Sequence, residues 1–396
     1  MIRRPSAARA AAAVFLLSVL LAGHARAQSP IVVAEHLSFP AGIAFDSNGT
    51  MFVTERPGRI VAFERPGAPR AVASVPTTTT GESGLLGIAV SPDDRWVYAF
   101  GTELDGSNTI WRVKAEGGRP QRVITDLPGG TYHNGGGVAF GSDGMLYVSN
   151  GEIHASDRAQ DPNVLGGKVY RYTPDGAIPD DNPFGDSPAF AIGLRNPFGL
   201  AIDPVTGAPF VTENGPSSFD EIDRIVAGGN YGWPEVSGPS SDPPGSLQGT
   251  YQDPLVAYEE IIVPTGIAFA DPDSARTSVA GDLFFATYGD QTIHQLRLNE
   301  ARDEVVEDTI MFESREPIVA LAWGPRGLYF STPGAIKLFE LTRDLPAHGT
   351  DATGNGDGTD PVPASSTPTA LLIFGVAAAV LLGALLFAFG KRRGRT

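Results

Sequence analysis

A short pattern that recurs along the chain constrains its fold more than any other feature. It consists of a small residue, an apolar residue, alanine and a second apolar residue. The copies begin at Gly42, Gly87, Gly137, Gly199, Gly266 and Ala320. Most copies are followed by a turn and a second strand, as in DSNGTMFVTE, and then by a third apolar strand. Asn-Gly and Asp-Gly turns between alternating strands indicate hairpins. Repeats of this length with three or four strands predict an all-β, six-bladed β-propeller.

Both ends of the chain have the composition of targeting segments rather than of a folded domain. Residues 1–27 combine Arg3 and Arg4, a short apolar run and a small-x-small site, which predicts a secretory signal peptide. Residues 370–390 carry no charge and are long enough for a single transmembrane helix. The Gly-, Asp-, Thr-, Ser- and Pro-rich segment 347–369 predicts a flexible stalk. These assignments leave 28–346 for the propeller.

The charges beside the second apolar segment predict how the protein is oriented. The basic tail 391–396 follows the segment at once, and the positive-inside rule leaves such a tail in the cytoplasm. We therefore expect a single-pass protein of the cell membrane, with its propeller on the extracytoplasmic side. A sortase-type signal that is later removed has the same layout, and it remains the alternative.

The overall composition excludes some classes of partner. The formal net charge is −16 at pH 7, which argues against nucleic acid or anionic lipid as a partner of the propeller. The sequence contains no cysteine, so an exported domain must be stabilised by its core without disulfides.

Chemically capable residues concentrate in the third and fourth repeats. His133 lies in the glycine-rich segment TYHNGGG, where an imidazole near its ordinary pKa can accept a proton at neutral pH. Arg195 and Asn196 place a guanidinium and an amide side by side, which suits an oxygen that gains negative charge. The turn at Gly215 and Pro216 exposes carbonyl oxygens, which calcium prefers. Each feature also has a structural explanation, as a turn residue, a surface arginine or a solvated loop.

The segments TYHNGGGVAF and RNPFGLAI and the turn ENGP resemble the soluble-type, pyrroloquinoline quinone (PQQ)-dependent aldose sugar dehydrogenases, the glucose/sorbosone dehydrogenase family. The resemblance covers most of the repeats, from about residue 38 to 341. It implies oxidation of an aldose sugar at C1 to the lactone, with PQQ and calcium as cofactors. Electrons would pass to a respiratory quinone or cytochrome, which the membrane anchor would keep near.

The same resemblance implies roles for individual residues. His133 matches the general base, and Arg195 and Asn196 match the pair that polarises the quinone oxygens. The carbonyls of Gly215 and Pro216 match those that hold the calcium ion bound to PQQ. A second, structural calcium would be held by the Glu221 side chain and the Tyr231 carbonyl. Lys168, in the family-like stretch GGKVYRY, is interpreted as structural.

The sequence departs from the family where PQQ's carboxylates would bind. Glu82 occupies a cofactor-contacting position where relatives have glutamine, and Gly137 follows the histidine motif where an arginine is common. Tyr288, Pro317 and Val319 stand in place of a lysine and two arginines. Losing cations and gaining an acid should weaken an anion site.

The departures favour an alternative function, in which a catalytically degenerate, calcium-binding propeller recognises an envelope carbohydrate or protein. A calcium-dependent lactonase is a third reading. It would need a Glu, Asn and Asp cluster around one metal in the channel, and the sequence does not supply a recognisable one.

Overall fold

The computed structural model describes residues 29–274 and 278–341, which form six four-stranded antiparallel sheets. Strand β1 (Ile31–Glu35) comes first in the chain. The strands of blades 1 to 3 then follow in chain order, each blade running from its innermost to its outermost strand. They are β2 (Pro40–Phe45), β3 (Met51–Glu55), β4 (Arg59–Phe63) and β5 (Pro69–Ser74); β6 (Leu85–Val90), β7 (Trp96–Thr102), β8 (Asn108–Lys114) and β9 (Gln121–Leu127); and β10 (Val138–Phe140), β11 (Leu146–Asn150), β12 (Lys168–Tyr172) and β13 (Ala189–Ala191).

Blades 4 to 6 complete the ring, and blade 4 carries an extra two-stranded parallel sheet in its outer loop. The strands are β14 (Pro197–Ile202), β15 (Pro209–Glu213), β16 (Asp220–Arg224), the parallel pair β17 (Gly229–Asn230) and β18 (Thr250–Tyr251), and β19 (Val256–Tyr258); β20 (Pro264–Phe269), β21 (Leu283–Thr287), β22 (Thr292–Leu298) and β23 (Val305–Glu313); and β24 (Leu321–Gly324), β25 (Gly327–Thr332) and β26 (Ala335–Glu340).

Blade 6 takes its outermost strand from the other end of the described chain. Strand β1 pairs antiparallel with β26, with Ile31 opposite Leu338 and Glu35 opposite Ala335. The first and last strands of the described chain are therefore joined within one sheet, which closes the ring. On the inner side, the Ser331 hydroxyl of β25 donates a hydrogen bond of 2.8 Å to the Pro40 carbonyl of β2.

The glycine of the repeated pattern is required by the contact between neighbouring blades. A Cβ atom on Gly87 would lie 2.1 Å from the Gly136 carbonyl oxygen, and one on Gly199 would lie 2.3 Å from the Thr265 carbonyl oxygen. No side chain fits at these separations. The inner strands of all six blades can therefore approach closely and line a narrow central channel. The repeat found in the sequence is thus the inner strand of each blade.

The hydrophobic core lies between adjacent sheets rather than at the centre of the ring. One buried cluster joins blades 2 and 3 through Tyr98 and Leu86 on one side and Leu146 and Tyr170 on the other. Burial of such side chains contributes about 1.5–3 kcal/mol each. The Tyr98 hydroxyl reaches the Pro174 carbonyl at 2.9 Å, so the polar end of this core residue is also satisfied.

The prediction of an all-β, six-bladed propeller is confirmed. Within the described ranges the only helix is a single 3₁₀ segment, Ser156–Gln160, and none is long and apolar enough to span a membrane. The predicted signal peptide (1–27), stalk (347–369), transmembrane helix (370–390) and basic tail (391–396) lie outside the described residues.

Candidate active site

The candidate site lies at one end of the propeller, which we call the bowl. Two sets of loops meet there: those that lead into the inner strands, and those that join the second strand of a blade to the third. His133 precedes β10, Arg195 and Asn196 precede β14, and Glu82 precedes β6. Glu152 follows β11. The topology therefore brings residues from three blades to the same end of the ring.

His133 is paired with a carboxylate. Its Nδ1 atom lies 2.5 Å from Glu152 Oε1, and both side chains are buried. Burial alone would raise the pKa of Glu152, but the hydrogen bond and charge of His133 and the charge of Arg195 outweigh it and lower that pKa. The Glu152 carboxylate is therefore ionised at neutral pH and can only accept a hydrogen bond. It fixes the proton on Nδ1 and leaves Nε2 as the proton acceptor.

The loop that carries His133 is held in a specific conformation. The φ angle of His133 is 56°, in the left-handed region that non-glycine residues rarely adopt. Its backbone N–H donates a 2.8 Å hydrogen bond to Glu82 Oε2. A Cβ atom on Gly151 would lie 2.1 Å from the His133 carbonyl oxygen, so only glycine permits the loop after β11 to pack here. The imidazole is thus positioned by two neighbouring loops.

Arg195 and Asn196 are joined to the histidine loop and to blade 4 by hydrogen bonds. The Arg195 carbonyl accepts the Glu152 N–H at 2.8 Å, and Asn196 Oδ1 accepts the Gly135 N–H at 3.0 Å. Both backbone N–H groups of the pair donate to Glu213 Oε1, at 3.1 and 2.6 Å. Because the Asn196 side-chain oxygen is occupied, its amide group is oriented with the NH₂ available as a donor.

Arg195 lies in an acidic environment. Burial lowers the pKa of its guanidinium, while Glu213, Glu152 and Glu82 each act to raise it. Its Nη1 atom donates to the carbonyl oxygens of Asn214 (2.7 Å) and Gly215 (3.0 Å). The guanidinium also lies over the Trp233 ring, 5.5 Å from the centroid. These contacts fix a cation beside the histidine.

Three buried carboxyl groups, Glu213, Glu221 and Asp223, form what we call the carboxylate cluster. Glu213 and Glu221 face each other across β15 and β16, and Asp223 projects from the same face two residues further along. Glu213 Oε2 and both Asp223 oxygens are buried and have no hydrogen-bond partner within the described ranges. Burial raises the pKa of Glu213 to about 8 and that of Glu221 to about 7, and it also raises the pKa of Asp223.

The carboxylate cluster has the composition expected of a calcium site. Glu213 and Glu221 line a small cavity of about 20 Å³ together with Gly215, Pro216 and Tyr231. Buried carboxylate oxygens without donors are strongly unfavourable unless a cation or protons compensate their charge. Calcium prefers this mixture of carboxylate and carbonyl oxygens, so the residues present fit that ion. The four predicted metal ligands are thus brought together around one cavity.

The positions predicted to have lost cations also lie at the bowl. Val319 lines the central channel. Burial lowers the pKa of the Arg56 guanidinium, whereas the charges of the nearby Tyr288 and Glu82 groups act to raise it. Arg56 donates to the carbonyl oxygens of Ser83 (2.8 Å), Thr79 and Gly81. It is a cation at this side of the bowl that the sequence analysis did not identify.

Sequence analysis also missed Glu152 and His154. Neither lies in a motif, and Glu152 acts only because the loop after β11 meets the loop before β10. Hairpin topology offered a usable signal, since the end of a second strand is adjacent to the start of the inner strand of the same blade. Lys168 is structural as predicted: it is fully buried, and its Nζ donates to the carbonyls of Arg158 (2.6 Å) and Gly166 (2.8 Å).

The protein is a six-bladed propeller that carries a His–Glu pair and an Arg–Asn pair in the loops at one end. Comparison with known proteins identifies the family. The profile described as Glucose / Sorbosone dehydrogenase matches residues 37–336. The chain therefore belongs to the glucose/sorbosone dehydrogenase family. The predicted family and the assignment of the chain as an enzyme are both confirmed.

Individual relatives agree with this assignment. The aldose sugar dehydrogenase YliI of Escherichia coli (strain K12) is 28% identical over 334 residues, covering 76% of this chain and 88% of the relative. Quinoprotein glucose dehydrogenase B of Acinetobacter calcoaceticus is 31% identical over 255 residues, or 53% of each chain. The PQQ-bound structure of an aldose sugar dehydrogenase from Streptomyces coelicolor superposes with a TM-score of 0.68 at 32% identity, covering 78% of this chain and 98% of that one.

Proposed function

We propose that the protein is an extracytoplasmic, membrane-anchored oxidoreductase that oxidises an aldose sugar at C1 to the lactone, with PQQ and calcium as cofactors. The observation that carries the proposal is the buried His133–Glu152 pair, 2.5 Å apart, beside Arg195 and Asn196. Removal of a proton from the C1 hydroxyl and of a hydride from C1 requires a fixed base and a fixed cation at one opening.

The histidine and its partner account for the proton. With Nδ1 held by the ionised Glu152, Nε2 can accept the proton of the sugar C1 hydroxyl, and the resulting imidazolium is stabilised by the adjacent carboxylate. PQQ, when bound, supplies the acceptor for the hydride that leaves C1. As the hydroxyl proton and the hydride depart, the C1–O bond becomes the carbonyl of the lactone.

The residues that would face the quinone end of PQQ fit the cofactor. Arg195 and the Asn196 amide offer a cation and a neutral donor side by side, which suits oxygens that become negative on reduction. At the other end, Arg56 is the cation that would face carboxylates, in the region of Tyr288 and Glu82. With fewer cations there than relatives use, we expect PQQ to bind less tightly.

Calcium is proposed at the cavity beside the carboxylate cluster, with the carbonyls of Gly215 and Pro216 holding the ion bound to PQQ. The Glu221 side chain and the Tyr231 carbonyl would hold the second, structural ion. The unpartnered, buried oxygens of Glu213 and Asp223 support this assignment, because a divalent cation would offset their charge. Removal of calcium with a chelator is therefore expected to lower the unfolding temperature, and addition of calcium should restore it. Thermal unfolding followed by circular dichroism measures both changes. An unfolding temperature that does not respond to chelator would contradict the assignment.

The location and the electron acceptor rest on the segments outside the described residues. A signal peptide and a single apolar segment followed by basic residues would place the propeller on the outer face of the membrane. A membrane quinone or a cytochrome would then be within reach as the acceptor. Fractionation of cells that carry a C-terminally tagged chain, with protease added to intact spheroplasts, tests this orientation.

The central experiment is calorimetric titration of PQQ into the calcium-loaded full chain in detergent, followed by a screen of aldoses with an artificial electron acceptor. We expect binding in the micromolar range or tighter and turnover of at least one aldose. Failure to bind PQQ would contradict the dehydrogenase proposal and favour the recognition propeller.

The histidine's role is tested by His133→Asn. Asparagine tolerates the left-handed backbone at this position, so the loop should keep its shape. Loss of the base is expected to reduce kcat by about 10²–10⁴-fold. The matched control is His36→Asn, an exposed residue with a similar φ of 61° that lies between β1 and β2. Equal activity of the two variants would refute the assigned role.

A further inference from the structure

We propose that His133, Glu152 and His154 form a binding site for a borderline divalent transition ion such as Zn²⁺, separate from the carboxylate cluster, and that the bound ion blocks the base. One ligand atom from each of the three side chains can be chosen so that all three lie within 4.8 Å of one another. Two imidazoles and a carboxylate are the donor set of many three-ligand zinc sites.

The backbone holds the three side chains at this separation. The His133 and His154 rings lie 4.0 Å apart between centroids, and Glu152 is two residues before His154. The Ile153 N–H donates to the His133 carbonyl at 3.3 Å, which joins the two loops by a direct backbone hydrogen bond. The backbone of the two joined loops therefore sets the spacing of the three side chains.

An independent observation points to a cation at this position. Glu152 Oε1 is occupied by His133, but Oε2 is buried and has no hydrogen-bond partner in the described part of the chain. The Glu152 side chain is only 2% exposed, so water does not compensate for the missing donor. A metal ion beside the imidazoles would satisfy this oxygen. His154 is exposed, so an ion can reach the site from the bowl.

The donor atoms select the class of ion. Imidazole nitrogen suits zinc and other first-row transition ions, whereas calcium takes oxygen ligands and six to eight of them. The two sites should therefore not compete: calcium prefers the carboxylates and carbonyls of blade 4, and zinc prefers the imidazoles of blade 3. Three protein ligands leave a fourth tetrahedral position for water.

Occupancy of this site would have a functional consequence. His133 is both a ligand and the proposed proton acceptor, and the Glu152 carboxylate cannot orient the imidazole freely while it binds a metal. Zinc should therefore inhibit sugar oxidation, and removal of zinc should restore it. This consequence rests on the proposed function, whereas binding of the ion does not.

The test is a competition titration of Zn²⁺ against a chromophoric chelator, with the full chain in detergent and millimolar calcium present throughout. We expect one zinc ion per chain at micromolar affinity or tighter. His154→Asn, which tolerates the left-handed φ of 61°, should weaken binding at least about tenfold, and Glu152→Gln should do the same. His36→Asn, the exposed control, should bind as the unmodified chain does. Co²⁺ in place of zinc should give the visible absorption of a tetrahedral site, absent from His154→Asn.

The outcomes separate this inference from the proposed function. Absence of a stoichiometric zinc site, displacement of zinc by calcium, or unchanged affinity in His154→Asn would each overturn it. If the chain turns over a sugar, inhibition should follow the same zinc concentration dependence as binding and should be relieved in His154→Asn. Inhibition that persists unchanged in that variant would overturn the blocking role. If the chain binds zinc but neither binds PQQ nor turns over a sugar, the proposed function fails and the metal site stands.

Discussion

Replacement of Glu152 by glutamine is the most direct test of how the site handles a proton. The substitution keeps the size and shape of the side chain and removes only its charge. The carboxylate lies 2.5 Å from His133 Nδ1 and is nearly inaccessible to water, so its interaction with an imidazolium is not screened. The amide oxygen can still accept the Nδ1 proton, but it cannot stabilise the positive charge that forms when Nε2 takes the sugar's proton.

The size of the effect follows from this geometry. A hydrogen bond to a charged group contributes about 1.5–3 kcal/mol, compared with about 0.5–1.5 kcal/mol for a neutral one. The difference acts on the state in which His133 is protonated, so about 1–2 kcal/mol of it should appear in the barrier. We therefore expect kcat to fall by about 5- to 30-fold. The KM for the sugar should change little, because Glu152 is placed behind the imidazole.

Steady-state kinetics of the PQQ- and calcium-loaded chain with an artificial electron acceptor measures the two constants. The pH profile adds a second readout, because loss of the carboxylate destabilises the protonated imidazole and should move the acidic limb of the activity profile to lower pH. Glu116→Gln is the matched control: Glu116 is exposed in the turn after β8, at the end of the propeller opposite the bowl. An unchanged kcat and pH profile in Glu152→Gln would refute the positioning role.

Three further substitutions test the cofactor site and the fold. Glu82→Gln keeps an oxygen that can accept the His133 N–H and removes a negative charge near an anion site, so PQQ should bind about 5- to 30-fold more tightly by calorimetry, with unfolding unchanged. Gly87→Ala should reduce the free energy of unfolding in urea by about 1–3 kcal/mol, because its Cβ would lie 2.1 Å from a carbonyl oxygen of the next blade. Ser331→Ala removes the hydroxyl bond to Pro40 across the ring closure and should cost about 1–3 kcal/mol in the same assay. A stability equal to that of the unmodified chain in either fold variant would contradict the corresponding contact.

The number and order of blades could be predicted because the repeated pattern has a single physical cause. Inner strands approach so closely at their contacts that glycine is favoured there, and five of the six copies of the repeated pattern therefore begin with glycine. Blade 6 has Ala320 at this position and was still found, because the rest of its pattern is intact. The strand β1 was not predicted, since it belongs to the last blade but stands at the other end of the sequence, where no repeat precedes it.

The candidate site was only partly predictable, for a different reason. His133, Arg195 and Asn196 lie in motifs that resemble a known family, so single segments indicated them. Glu152 and Arg56 contribute through contacts between loops that are far apart in sequence, and no local pattern distinguishes such residues from ordinary turn residues. The roles assigned to the predicted residues stay predictions, although the structure brings all of them to one end of the propeller.

The bowl carries several carboxylates within reach of the Arg195 guanidinium, and this balance suggests how the site could bind an anionic cofactor with fewer cations. Glu82 directs one oxygen to the His133 N–H, Glu152 directs one to the His133 ring, and Glu213 accepts both N–H groups of the Arg195–Asn196 pair. One oxygen of each of these acids is thus committed to positioning a donor or a base. The residual negative charge is concentrated beside Gly215, where a divalent cation would offset it. The same cation would attract an anionic cofactor, so calcium is expected to supply part of the electrostatic attraction that arginine and lysine side chains provide elsewhere.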